Sequence, residues 1–363
     1  MKTSKLVLAF VLSLGLYGTA QAAESKAASK PRVAYTELKV PAPSLRGNLL
    51  GIADQQAITV YLPPGYAKDS TKRYPVVYFL PGYGDSQLGY GVALADAMEA
   101  LLAEGKTQEM IAVSLEGNYR YGGSFYVNSP VSGNWQDFVT KDVVGYVDKH
   151  YRTIPRAYAR GLGGHSMGGF GVLHLGLNTS GVFGALYSMS PGVYKPGDLD
   201  RTPLSFSTTR YAEDFYGKLK PADYLERISG ISWPGNFSYV YAFAFAYRND
   251  GKPPFFHTPA ENKDGEVRRD AIWQRYDAGY GGWEAKLDQH GANLKALKGF
   301  VIDYGNHDEF AWIVDGSKYL SAELKQRGIR HQLVEYDGDH QSKVYGRLKS
   351  DVLPFFSRTL AAE

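Results

Sequence analysis

The stretch Gly163-Gly164-His165-Ser166-Met167-Gly168-Gly169 constrains this chain more than any other. An apolar, glycine-punctuated run from Tyr158 to Gly164 leads into it, and small helix-compatible residues from Gly169 to Asn178 lead out. That order predicts a strand, a sharp turn and a helix, with the serine at the apex, exposed above the C-terminal edge of a sheet. A turn so tight needs small neighbours two residues to either side, and Gly164 and Gly168 stand there. In a chain with 41 glycines the bare G-x-S-x-G pattern arises easily by chance; the flanking strand and helix signals make it specific.

A length of 363 residues allows a large core in one α/β domain. The absence of cysteine excludes disulfides, thiolate metal sites and a cysteine nucleophile together. A formal net charge of +3 without a basic run gives no electrostatic case for a nucleic acid or an anionic membrane. The expected partner is a small-molecule or carbohydrate-linked ester. At the N-terminus, Lys2 and Lys5 precede an apolar stretch from Leu6 to Tyr17 and the small-x-small signal Ala20-Gln21-Ala22. This predicts a secretory signal peptide over residues 1–22 and a flexible leader over 23–32, hence a periplasmic or extracellular protein. No later apolar run is long enough to span a bilayer.

From residue 33 the pattern alternates. Strands are expected over Gln56–Leu62, Tyr74–Leu80, Met110–Leu115, Tyr158–Gly164, Phe183–Met189, Gly299–Tyr304 and His331–Tyr336, with helices between them. Tyr119 to Trp135 is aromatic, glycine-rich and aperiodic, the composition of a functional loop, and Tyr126 and Trp135 are its candidate substrate-binding residues. Between about 192 and 297 the alternation fails. That stretch is expected to be an aromatic insertion over the strands' carboxyl edge, with Trp233, Phe243, Phe245 and Trp273 walling a pocket.

A serine hydroxyl attacks an acyl carbon only when a base takes its proton and an acid orients that base. In the nucleophile-elbow arrangement the acid and then the histidine follow the serine in the chain, each after a strand. Here one late strand runs into Asn306-His307-Asp308-Glu309, and the next into Asp337-Gly338-Asp339-His340. His340 is the expected base, with His307 its competitor; Asp308 is the expected acid, with Glu309 second and Asp303 still inside its strand. His165, beside the serine, is expected to pack or hydrogen-bond locally. The N–H of Met167 and that of Tyr83, in the glycine-rich turn after the second strand, are the expected oxyanion donors. Neither a metal nor another cofactor is implied: the Asp337–His340 cluster has no partner cluster, and no phosphate or dinucleotide fingerprint is complete.

Leu45-Arg46-Gly47-Asn48-Leu49-Leu50-Gly51, Val60-Tyr61-Leu62-Pro63-Pro64-Gly65-Tyr66, Gly123-Ser124-Phe125-Tyr126 with Gly133-Asn134-Trp135, and the serine turn itself resemble the esterase family of α/β-hydrolases. That family includes S-formylglutathione hydrolases, feruloyl and acetyl xylan esterases, and mycolyltransferases. Pro81 departs from the histidine that relatives commonly carry before the glycine. The resemblance implies an α/β-hydrolase fold, a mostly parallel sheet with helices on both faces, and a serine esterase. An acyltransferase with the same triad is the alternative; a serine peptidase and a non-catalytic binding module are the remoter ones.

Overall fold

The computed structural model describes residues 35–361, so the expected signal peptide and leader lie outside the described residues. The sheet has eight strands: β1 Tyr35–Pro41, β2 Gln55–Tyr61, β3 Val76–Leu80, β4 Ile111–Leu115, β5 Arg160–His165, β6 Ala185–Met189, β7 Gly299–Gly305 and β8 Gln332–Tyr336. Their spatial order is β1-β2-β4-β3-β5-β6-β7-β8. The pairs β1–β2 and β2–β4 are antiparallel and all others parallel. Every expected strand is present within a few residues; β1, which carries no strong apolar signal, was not expected.

The apolar run of β3 is buried on both faces because helices cover both. Val76, Tyr78 and Leu80 join one core cluster, and Val77 and Phe79 the other. Helix α1 (Gln87–Ala103) and the last helical stretch cover the second face, where Tyr90, Leu94 and Met98 meet Leu348, Val352 and Phe356. The first face carries α2 (135–150) and α3 (Met167–Asn178).

Between β6 and β7 the chain is mainly helical, with α4 (206–216), α5 (Pro221–Ile228), α6 (Phe237–Phe245), α7 (Ala271–Tyr280) and α8 (Trp283–Lys295). Asp270 starts α7 as an N-cap, its carboxylate accepting the N–H groups of Ile272 and Trp273 at 2.9 Å. The strand-helix alternation resumes earlier than the sequence suggests. Helix α8 packs on α3, with Leu287 and Leu294 in the core and Asn293 Nδ2 donating to Leu177 O at 2.6 Å. It is therefore the crossover into β7, with no part in an insertion ending at 297. After β7, α9 (Ala311–Gln326) leads to β8, and α10 (344–359) ends the fold.

Candidate active site

Ser166 sits between the last residue of β5 and the first of α3 with φ 57° and ψ −114°, a left-handed conformation strained for any residue but glycine. Three backbone bonds hold it there. Its N–H donates to Met189 O at 2.9 Å, and its carbonyl accepts from Phe170 at 3.0 Å and Gly192 at 3.1 Å. The two glycines are required by close approach. A Cβ on Gly164 would lie 2.5 Å from Gly168 O, and one on Gly168 would lie 1.9 Å from Leu80 O.

The loops after β7 and β8 bring the partners. His340 Nε2 lies 2.8 Å from Ser166 Oγ, and its Nδ1 lies 2.7 Å from Asp308 Oδ2. Both side chains are buried, and the second Asp308 oxygen accepts the Phe310 N–H at 2.9 Å. With both oxygens satisfied, the carboxylate is fixed as an acceptor for an imidazole N–H. The loops are stitched to each other by Asn306 N–H to Tyr336 O at 2.9 Å and His307 N–H to Gly338 O at 3.0 Å. Glu309 takes the backbone N–H of His340 at 3.2 Å instead of its ring. His307 points to solvent, where Nε2 meets Asp337 at 3.2 Å. Asp303 is buried within β7, its Oδ2 paired with Arg347 at 2.8 Å. Geometrically, a hydroxyl, an imidazole and a carboxylate lie in one line, able to pass a proton from oxygen to nitrogen while the carboxylate holds the resulting cation.

Met167 opens α3, so its N–H is one of the first-turn donors that an α-helix leaves unpaired. Tyr83 lies in the loop after β3. That loop is clamped by Asn118, whose Oδ1 accepts the Gly84 N–H at 2.9 Å while Nδ2 donates to Gly82 O at 2.9 Å and Asp85 O at 2.8 Å. No sequence signal marked Asn118 for this role.

A cleft of about 740 Å³ opens over Ser166. Tyr83, Ile231, Trp233 and Phe310 supply apolar walls; Asp85, Asn118, Arg120, Asn236 and Glu309 supply polar ones. The rings of Tyr83 and Trp233 are 5.3 Å apart, and Phe310 stands edge-on to His340 at 5.0 Å. The expectation that Tyr126 and Trp135 bind substrate is corrected: both are fully buried. Tyr126 Oη donates to Pro81 O at 2.8 Å, bracing the loop from behind, and Trp135 Nε1 donates to Ser132 O at 2.7 Å. An aromatic loop here turns its rings inward because the core between α2 and β3 needs their volume. Of the four aromatic residues expected from the insertion, Trp233 reaches this cleft. Phe243 is core, Trp273 stacks under Arg269 at 5.2 Å, and Phe245 lines a separate cavity with Phe170, His174 and Lys286.

Among the described residues no group of three His, Asp or Glu side chains stands at metal-binding spacing. None of the described helices is long and apolar enough to cross a membrane.

This sheet order, with a serine on a strained strand-to-helix turn and the acid and histidine after two later strands, is an α/β-hydrolase. Residues 52–348 match the family described as "Putative esterase", and the chain belongs to that family. Among curated proteins it is 27% identical over 152 residues to an endo-1,4-beta-xylanase/feruloyl esterase of Xylanibacter ruminicola, a match covering 40% of this chain. The chain spans only about a fifth (20%) of that relative's length. Among solved structures, a ferulic acid esterase superposes with a TM-score of 0.57 at 20% identity, covering 90% of this chain and 98% of the other. A ferulic acid esterase from Anaeromyces mucronatus, in complex with ferulic acid, gives 0.53 at 18% identity, covering 92% and 93%. At such identities these structures share the fold.

Proposed function

We propose that the chain is an exported serine esterase that hydrolyses carboxylic esters of short to medium acyl or aromatic acids. Ser166 is its nucleophile, His340 its base and Asp308 the group that orients the base. As Oγ bonds to the ester carbon, its proton passes to His340 Nε2, and Asp308 stabilises the imidazolium through Nδ1–H. The carbonyl oxygen takes up the displaced electron pair and is met by the N–H groups of Met167 and Tyr83. Collapse breaks the bond to the alcohol oxygen, which leaves with the proton from Nε2; water then repeats the sequence on the acyl-enzyme and frees the acid.

The observation that carries the proposal is the unbroken contact from Ser166 Oγ through His340 to Asp308, at 2.8 and 2.7 Å. The cleft volume lies within the range of small-molecule sites, and Tyr83, Trp233 and Phe310 give it flat apolar walls suited to a ring or short chain. The bound ferulic acid of the Anaeromyces enzyme favours aromatic acyl groups among these. Export rests on the N-terminal pattern from Lys2 to Ala22. A panel of acyl and aryl esters, with Ser166→Ala as control, tests the proposal: the parent should hydrolyse acetyl, butyryl or cinnamoyl esters and the variant should not. Parental rates in the variant, or no turnover of any ester, would refute it. Adding an alcohol or sugar and analysing products separates hydrolysis from acyl transfer.

A further inference from the structure

The His340 ring is held at Nδ1 by Asp308, but the loop that carries it, 337–343, has no helix or strand of its own to fix its backbone. Both polar groups of the His340 peptide are instead gripped by side chains. Its N–H donates to Glu309 Oε2 at 3.2 Å, and its carbonyl lies 2.9 Å from His165 Nε2. His165 is completely buried, its ring 4.8 Å from that of His340. A carbonyl has no proton to give, so His165 Nε2 must carry one. Burial, reinforced by the nearby His340, holds the His165 pKa far below the usual imidazole range. The ring is therefore neutral, and Nδ1 is a bare acceptor.

The donor to Nδ1 is Tyr90 Oη, 3.0 Å away on α1. Tyr90 has one hydroxyl proton. With it committed to His165, the contact between Tyr90 Oη and Asp85 Oδ2 at 3.3 Å is a hydrogen bond only if Asp85 supplies the proton. Burial pushes the Asp85 carboxyl upward, in the direction this requires. Asp85 closes the loop expected to hold the oxyanion donor, its N–H bonded to Gly82 O at 3.2 Å. A series of close contacts thus runs from that loop through Tyr90 and His165 to the backbone of His340.

We propose that His165 and Tyr90 are positioning residues that hold the His340 carbonyl and so set the distance between the imidazole and Ser166; this rests on the esterase reading above. His165 ends β5 and Ser166 follows it, so one strained turn carries both the nucleophile and the brace of its base. A shift of either moves the other. A purely space-filling role for the buried ring would make no demand on its nitrogens.

The test compares kcat and KM on p-nitrophenyl acetate for the parent, His165→Phe, His165→Gln, Tyr90→Phe and the double variant His165→Phe/Tyr90→Phe. Phenylalanine keeps a ring in the cavity and removes the donor, so kcat should fall about 10²-fold, the scale of a 1 Å misplacement, with KM within about twofold. The terminal amide of glutamine can reach the carbonyl, and should restore about tenfold of that loss. Tyr90→Phe alone should cost about tenfold and add little in the double variant, because the hydroxyl acts on the His340 carbonyl through His165. Nitrogen-15 NMR of the parent should show His165 neutral with the proton on Nε2. Parental kcat in His165→Phe, no recovery in His165→Gln, additive losses in the double variant, or a proton on Nδ1 would overturn the proposal. Should His165→Phe fail to fold, the NMR tautomer and the Tyr90→Phe rate decide. A parent whose Ser166 is labelled by a fluorophosphonate while His165→Phe is unimpaired refutes positioning alone. A parent that is neither labelled nor active removes the esterase reading and the positioning role with it.

Discussion

Replacing Gly168 with alanine probes how tightly the serine turn is built. The new Cβ would lie 1.9 Å from Leu80 O, 2.6 Å from Leu80 C and 2.8 Å from Pro81 O. An ordinary carbon–oxygen contact needs about 3.3 Å, so roughly 1.4 Å of separation must be found. The obstacles are backbone atoms at the end of β3, a strand hydrogen-bonded on both sides by β4 and β5. The start of α3 must therefore move, with Ser166 and the Met167 N–H on it. Overpacking of this kind costs about 1–3 kcal/mol. That outweighs the gain of at most about 1 kcal/mol from alanine in a helix. A displacement near 1 Å at the reacting atoms costs about 10²-fold in rate. The expected outcome for Gly168→Ala is a lower urea midpoint and a kcat on p-nitrophenyl acetate reduced about 10²-fold or more. Gly145→Ala is the control. It lies exposed in α2 with no atom within 4 Å of an added Cβ, and should stabilise by about 0.5–1 kcal/mol without touching activity. Parental stability and rate in Gly168→Ala, or equal losses in both variants, would refute the reasoning.

Three further outcomes are expected. Asp308→Asn should impair hydrolysis far more than Glu309→Gln, because the amide favours the wrong imidazole tautomer; the opposite ranking in kcat would reassign the acid. His174 is held at about 3, below its ordinary 6.5, chiefly by burial. Its folded form binds fewer protons than the unfolded chain between those values, so stability falls as pH drops from 6.5 toward 3. Since the ring is partly exposed, the loss from pH 7 to 5 should be about 1 kcal/mol, and urea titrations should find it smaller in His174→Gln; an equal slope in both would contradict the assignment. Trp233→Ala should change the ratio of kcat/KM between cinnamoyl and acetyl esters by about tenfold, while Trp273→Ala, away from the cleft, leaves it unchanged. Equal ratios in all three proteins would remove Trp233 from substrate selection.

Much of the site was legible because its chemistry is tied to local backbone geometry. Gly164 and Gly168 mark a turn that only small residues permit, and Asp308 and His340 each follow a short strand rich in β-branched and aromatic residues. Their meeting at Ser166 follows from sheet order, which the nucleophile-elbow pattern already implies. Tyr126 and Trp135 were misjudged because an aperiodic loop gives no rule for which way a ring turns; the core volume beneath it decides. The run Tyr239–Phe245 forms one helix, α6, and its rings are shared between core and a second cavity, a division set by packing between helices. Asn118 and the Tyr90–His165 contact were invisible for a related reason. Each is a long-range hydrogen bond, and His165, expected to pack or bond locally, instead meets a carbonyl 175 residues away.

The most direct measurement is covalent. The protein is incubated with a fluorophosphonate, its intact mass is recorded, and the labelled peptide is sequenced. One phosphonyl group per chain is predicted, on Ser166, with labelling abolished in Ser166→Ala and slowed about 10³-fold or more in His340→Ala. Label on another residue, no label on the parent, or undiminished labelling in His340→Ala would contradict a nucleophile at Ser166 activated by His340.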